Sequence, residues 1–356
     1  MKSVEPKVDQ EIEKLAKQIK EAPLPADLSS RTLLAIERLR LSLQFGQFSQ
    51  EFEAISHYVE WIVNLPWRKK TEDNLDLKRA RQVLDRYHYG LEEIKERVLE
   101  YLAVMKLKKD KGEKPRAPIL CLVGLVGTGK TTLATAIAEA LGRKMVRIPF
   151  GGIEEPFYLR GRSRVFPQAQ PGQIIKGLRQ AGAANPIILL DEIDRIAEEA
   201  RSSIMGVLVE LLDPEQNNAF TDYFIDYPFD LSEAFFITTC NNTTNISQAV
   251  LDRLEVISMP SYSDEEKIII GKNYLLPEAI AEAGLEPQQV VFTPDVWPKI
   301  VRPLGYDAGV RTLKRNLEGI CRQIAKKVVS GEGERFEINT NNAKEYLPMW
   351  WNSDTN

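Results

Sequence analysis

Eight residues, Gly124-Leu-Val-Gly127-Thr128-Gly129-Lys130-Thr131, carry the chemistry on which the rest of the chain turns. Glycines at this spacing let the backbone curl until several N–H groups point into one concavity. A helix beginning there adds its positive dipole end, and the two together suit a chain of phosphates. Lys130 then reaches the β- and γ-phosphates, and the Thr131 hydroxyl is placed to hold Mg²⁺. The expected nucleotide-binding set is Gly124, Gly127, Thr128, Gly129, Lys130, Thr131 and Thr132, with ATP and Mg²⁺ as its ligands. A glycine-rich turn without function carries similar letters, so the flanks decide. The apolar run Pro118-Ile-Leu-Cys-Leu-Val123 precedes the loop and the helical pattern Thr132 to Leu141 follows it, which is strand, loop, helix.

Two acids stand further along, Asp191 and Glu192, at the end of the apolar run Ile187-Ile-Leu-Leu190. Successive strand residues face opposite ways, which suits two separate roles. Asp191 supports Mg²⁺ through its water shell, and Glu192 polarises the water that attacks the γ-phosphate. The same letters fit an acidic cap on a helix from Ile193 to Ala200, and the phosphate-binding loop upstream favours the catalytic reading. Asn241 ends another apolar run, Phe235-Phe-Ile-Thr-Thr-Cys, where its amide can meet both γ-phosphate and attacking water. Asparagine is also a common turn former, and Asn241-Asn242-Thr-Thr-Asn245 is turn-like. Arg253 and Arg311 supply further positive charge, although a solvated helix arginine reads the same way.

Positioning these groups is the work of the elements between them. Runs at Lys144-Met-Val-Arg-Ile-Pro, Pro186 to Leu190 and Ala234 to Thr239 alternate with helical stretches, which predicts a parallel α/β sheet with the loop at a strand's carboxyl end. Residues 1–67 form a helical segment and linker, with apolar residues at three-to-four spacing in Glu11 to Lys20 and Arg31 to Leu41. Asn64-Leu-Pro-Trp-Arg-Lys-Lys-Thr-Glu-Asp73 breaks that pattern and reads as the linker. The α/β nucleotide-binding subdomain is expected over 68–261. A mainly helical small subdomain over 262–347 opens with Ser263 as N-cap, and a tail occupies 348–356.

Composition narrows the function classes. A chain of 356 residues suits two or three domains. No apolar stretch approaches the roughly 18 residues of a membrane span, and Met1-Lys-Ser-Val-Glu-Pro has no signal-peptide core, so a cytoplasmic protein is expected. Cys121, Cys240 and Cys321 are too scattered for a metal site, and His57 and His88 are the only histidines. A net charge of −4 argues against DNA as a partner.

These elements together resemble AAA+ ATPases, and more closely the ATPase module of the Lon protease family. The resemblance runs from about Tyr58 to Leu347. It is carried by Tyr58-Val-Glu-Trp61-Ile-Val-Asn-Leu-Pro-Trp67, Thr71-Glu-Asp-Asn-Leu-Asp-Leu, His88-Tyr-Gly-Leu-Glu-Glu-Ile, Leu212-Asp-Pro-Glu-Gln216, Leu251-Asp-Arg-Leu-Glu-Val-Ile257 and Asp307-Ala-Gly-Val-Arg311. It implies a homo-hexameric ring holding ATP between neighbours. In that ring Asp191-Glu192 is Walker B, Asn241 sensor 1, Arg253 the arginine finger and Arg311 sensor 2. Tyr89 and Ile94 would flank the adenine, although as apolar residues they also suit a core.

Departures from the family pattern shape the functional expectation. Leu125 and Val126 replace the prolines usual in the loop and Thr128 replaces valine, leaving the catalytic positions intact. The substrate-gripping pore loop, usually aromatic-hydrophobic-glycine, keeps only Phe166 in Arg162-Ser-Arg-Val-Phe166-Pro167-Gln168. Proline fixes φ and removes a donor, predicting a stiffer loop with altered or lost grip on a threaded polypeptide. After Tyr346-Leu347 the chain ends in Pro-Met-Trp350-Trp351-Asn-Ser-Asp-Thr-Asn356, so neither a serine-lysine peptidase nor most of the N-terminal substrate-binding domain is expected. The tryptophan pair fits a docking anchor or packing on its own domain. An ATP-hydrolysing ring motor that unfolds or remodels protein, acting alone or with a separate peptidase, is the leading expectation. A nucleotide-dependent assembly or adaptor switch that does not thread substrate is the alternative.

Overall fold

Amphipathic helices open the chain in this computed structural model, which describes residues 5–42, 48–113, 118–302 and 307–347. The tail 348–356, with Trp350 and Trp351, lies outside the described residues. Helix α1 (Glu5–Glu21) buries Ile12, Leu15 and Ile19, and α2 (Ala26–Ser42) buries Leu28, Thr32, Ile36 and Leu39. Helix α3 (Phe48–Val63) adds Tyr58, Val59 and Ile62. These side chains have no core of their own. They join one apolar cluster with Phe220, Phe224 and Phe229, so the expected boundary near residue 67 divides sequence pattern but not core.

The stretch read as a linker is a docked strap. Trp67 donates its Nε1–H to the Ile62 carbonyl at 2.7 Å and packs against Tyr227 and Phe229. Asn185 exchanges two hydrogen bonds of 2.8 Å with the Thr71 backbone, and Asp73 receives a bidentate pair from buried Arg143. Charged letters in Arg68-Lys-Lys-Thr-Glu-Asp73 hid this, because their partners lie far along the chain.

Helices α4 (Leu77–Tyr87) and α5 (Glu92–Asp110) lead into the sheet. Its parallel strands β1 (Leu120–Val123), β2 (Met145–Pro149), β3 (Ile187–Asp191), β6 (Phe235–Cys240) and β7 (Glu255–Ser258) run in the order β2-β3-β6-β1-β7. Alternation through the pleat explains the continuous apolar runs. Ile188, Leu190, Phe236 and Cys121 face the cluster shared with α1 to α3, whereas Ile187, Leu189, Phe235, Ile237, Leu120 and Leu122 face α4, α5 and α6 (Lys130–Leu141). Strand β6 lies between β1 and β3, which brings the ends of all three together. Two short antiparallel strands, β4 (Phe220–Asp222) and β5 (Tyr227–Phe229), form a separate ribbon.

Helices α7 (Phe157–Arg160), α8 (Gln173–Ala181), α9 (Glu198–Leu211) and α10 (Gln248–Leu251) fill the connections. The small subdomain begins with α11 (Asp264–Ile270), where Ser263 and Glu266 form a reciprocal capping box. Around Trp297, helices α12 (Leu276–Glu282), α13 (Trp297–Val301), α14 (Arg311–Val329) and α15 (Ala343–Tyr346) bury a core of their own. It is mainly helical as expected, with one addition, the parallel pair β8 (Val290–Phe292) and β9 (Phe336–Ile338).

Candidate nucleotide site

The phosphate-binding loop takes its shape from two left-handed glycines, Gly127 at φ 84° and Gly129 at φ 92°. A Cβ on Gly129 would also meet His88 Cε1 at 2.8 Å, so conformation and space both demand glycine there. Thr128 is buried and donates its hydroxyl to the Leu125 carbonyl at 2.9 Å, while Tyr262 donates to the Thr128 carbonyl at 3.2 Å. These bonds hold the loop without the family's prolines. Lys130 donates its ammonium to the Gly124 and Leu125 carbonyls and to Asn241 Oδ1, the last at 3.1 Å. Burial lowers the Lys130 pKa from its ordinary value, and the carboxylates of Asp194, Glu192 and Asp191 oppose that shift. A polyanion bound here would relieve the cost of burying the charge.

A single hydroxyl fixes the two acids. Thr239, on β6, donates to Asp191 Oδ1 at 2.5 Å and accepts from the Glu192 backbone N–H at 2.9 Å. Asp191 is buried, and its other oxygen receives Arg147 Nε at 2.7 Å. Glu192 has φ 58°, so the chain turns sharply out of β3 at that residue. The helix expected from Ile193 is instead one 3₁₀ turn, Ile193–Arg195, before α9 starts at Glu198. Asp194 in that turn accepts the Asn241 N–H at 3.0 Å, leaving its Oδ1 buried without a partner. The Asn241 side chain is thereby aimed at Lys130.

A cleft of about 780 Å³ joins these groups, within the usual range for ligand pockets. Lining it are Gly127, Thr128, Gly129, Lys130, Thr131, Thr132, Asp191, Glu192, Asn241, Tyr89 and Arg311. Gly124 is not among the lining residues; its carbonyl holds Lys130 from behind. Arg311 opens α14, and the adjoining Val310 N–H donates to the Gly127 carbonyl at 3.0 Å, so the small subdomain is tied to the loop itself. Ile94 departs from its expected place beside the base. It is 7% exposed and packs with Val98 and Leu102, because its position on α5 faces the sheet. His88, Tyr262, Tyr274 and Arg147 also line the cleft; none is expected from sequence as a site residue, although His88 opens one of the quoted motifs. Burial and the neighbouring Lys95 charge push the His88 pKa down to about 4, against a hydrogen bond with the Thr132 backbone that raises it, and its Nε2 is buried without a partner.

Two expected residues lie elsewhere. Arg253 does not line this cleft; its guanidinium meets Asp213 Oδ2 at 2.9 Å and the Ala249 carbonyl at 2.7 Å. Phe166 is 59% exposed, beside the more exposed Val165. The residues present fit Mg²⁺ and a nucleotide triphosphate. Turned backbone N–H groups and five cations, Arg86, Lys130, Arg147, Arg311 and Lys314, line the cleft together with hard oxygen donors on Asp191 and Thr131.

A parallel sheet in this order, a glycine loop feeding α6, paired acids at the end of β3 and an arginine delivered by a helical lid define an AAA+ ATPase module. Residues 120–262 match the model of the ATPase family associated with various cellular activities (AAA), and 281–336 match the Lon protease AAA+ ATPase lid domain. The chain belongs to the Lon family, as its AAA+ ATPase module. Similar relatives include a Lon protease of Dictyoglomus thermophilum, 44% identical over 95% of this chain and 42% of its own length. Another, from Desulforamulus reducens, is 42% identical over 92% of this chain and 40% of its own. Lon protease 2 of Thermus thermophilus is 42% identical over 95% and 43%. The chain thus spans about two fifths of these relatives' length. No helix among the described residues is long and apolar enough to cross a membrane.

Proposed function

We propose that this chain binds and hydrolyses ATP at a site completed by a neighbouring subunit, and that it spends the energy on unfolding or remodelling protein in the cytoplasm. The convergence of Lys130, Asn241, Asp191, Glu192 and Arg311 on one cleft carries the reading. Lys130 and the loop N–H groups orient the β- and γ-phosphates. Glu192, free of the Asp191 carboxylate because the backbone turns between them, takes the proton from water as the water oxygen attacks the γ-phosphorus and the bond to ADP breaks. Asn241 positions that water and the γ-phosphate together. Mg²⁺, held through Asp191 and Thr131, neutralises charge across the phosphate oxygens when bound. Arg253, outside its own cleft, serves the next subunit as arginine finger in a hexameric ring. Arg311 couples nucleotide state to the small subdomain's angle through the Val310–Gly127 bond.

Glu192→Gln keeps the shape of the side chain and loses the base. Nucleotide affinity should stay within about twofold of the parent while turnover falls by about 10²-fold or more. Unchanged hydrolysis in that variant would remove Glu192 from the mechanism. The alternative, a nucleotide-driven adaptor that threads nothing, draws support from the loop around Phe166. Its base is pinned by the Arg162 N–H on the Gln170 carbonyl at 3.1 Å, and Arg164 stacks 3.8 Å above the Tyr58 ring. Stimulation of hydrolysis by an unfolded polypeptide supports the motor; indifference supports the adaptor.

A further inference from the structure

Leu212-Asp-Pro-Glu-Gln216 contains none of the nucleotide-site residues, yet its geometry is highly determined. Leu212 is fully buried beyond the end of α9. Pro214 fixes the backbone just after Asp213. Asp213 then accepts the Glu215 N–H on Oδ1 at 2.8 Å, Gln216 Nε2 on Oδ2 at 3.1 Å, and the Asn217 N–H on its backbone carbonyl at 2.9 Å. A carboxylate fixed from so many directions can orient a partner, and that partner is Arg253. Its Nε and one terminal nitrogen reach Asp213 Oδ2 at 3.3 and 2.9 Å, while the other terminal nitrogen donates to the Ala249 carbonyl.

We propose that Asp213 is the positioning residue for Arg253, and that the Asp-Pro-Glu-Gln turn serves to hold this guanidinium at the surface for the neighbouring subunit's cleft. The inference rests on reading Arg253 as an arginine finger. An unanchored arginine samples many rotamers, whereas a finger must meet the transferring phosphoryl group in one geometry. The Arg253 and Asp213 side chains are 27% and 16% exposed, so the pair is half-shielded from water while the guanidinium stays open at the surface. The turn also follows α9, which starts six residues beyond Glu192, so one helix separates a subunit's own catalytic base from the turn that anchors the finger it lends.

Mixed assemblies of the full chain test this. Arg253→Ala subunits keep an intact cleft and lack the finger; Lys130→Ala subunits lack ATP binding and keep the finger. Mixing the two should restore hydrolysis. Donors carrying both Lys130→Ala and Asp213→Ala should restore about 10- to 100-fold less, and Asp213→Glu donors should recover part of the loss. Binding of a fluorescent ATP analogue by the Asp213→Ala single variant should stay at the parent's affinity, which a merely structural defect would not allow. If that variant does not fold, Asp213→Asn takes its place in the same mixture. Equal restoration by donors with and without Asp213 overturns the positioning role alone. Failure of the simple Lys130→Ala donors overturns the finger reading and this inference with it.

Discussion

Histidine 88 shows how much of the site's behaviour rests on single buried side chains. It lies against Gly129 with its Nε2 buried and unpartnered, and its pKa is depressed from 6.5 to about 4. A depressed folded-state value means the fold prefers neutral imidazole. Its contribution is therefore fully present above pH 6.5 and is lost as pH falls through about 4. The expected loss across that window is roughly 3 kcal/mol. Denaturant unfolding at pH 7.5 and 4.5, compared between the parent and His88→Phe, checks it: the variant's drop in stability should be smaller, and equal drops would remove His88 as the source. At this scale contiguous motifs were readable and discontiguous partners were not. Lys130, Thr131, Asp191 and Glu192 stand in short runs with their own strand and helix signals. Arg147 and Thr239 act on Asp191 from 44 and 48 residues away, and a lone arginine or threonine inside a strand carries no mark of that.

Among the elements, burial decided which could be read from sequence. Strands β1, β3 and β6 bring apolar residues to two helical layers, so their letters form near-continuous runs, whereas β2, at one edge, alternates, with Arg147 and Pro149 exposed beside buried Val146 and Ile148. Strand β7 lies at the edge, reads Glu255-Val-Ile-Ser258 and leaves Val256 half-exposed, which gives no such run. The β4/β5 ribbon and the β8/β9 pair have three residues per strand, too short to show a period. The contact between the loop and the segment before α14 was equally hidden, although Asp307-Ala-Gly-Val-Arg311 stood out as a motif. Gly309 sits against Gly127 so closely that a Cβ would lie 2.4 Å from its carbonyl carbon. Gly309→Ala must push the small subdomain away from the loop. We expect nucleotide affinity to fall about tenfold or more, because Arg311 and Val310 move with it. Titration with a fluorescent nucleotide measures this, and parent-like affinity would show that the two subdomains need not touch for binding.

The molecule as a whole pairs a cleft with an anchored arginine, Arg253, that lies outside it. Lys130, Asn241 and Arg311 converge within the chain, whereas Arg253 is held by Asp213 outside that cleft. The proposed ring accounts for both facts, since each subunit would offer a nucleotide site and lend a finger. The N-terminal helices share the α/β core, so they should stay with it through assembly rather than swing free. The measurement that bears most directly on a shared site is ATPase activity per subunit across a range of protein concentration, with mass measured at each point. Activity per subunit should rise steeply as monomers assemble, and Arg253→Ala should assemble without that rise. Full activity per subunit in the monomer would contradict the account.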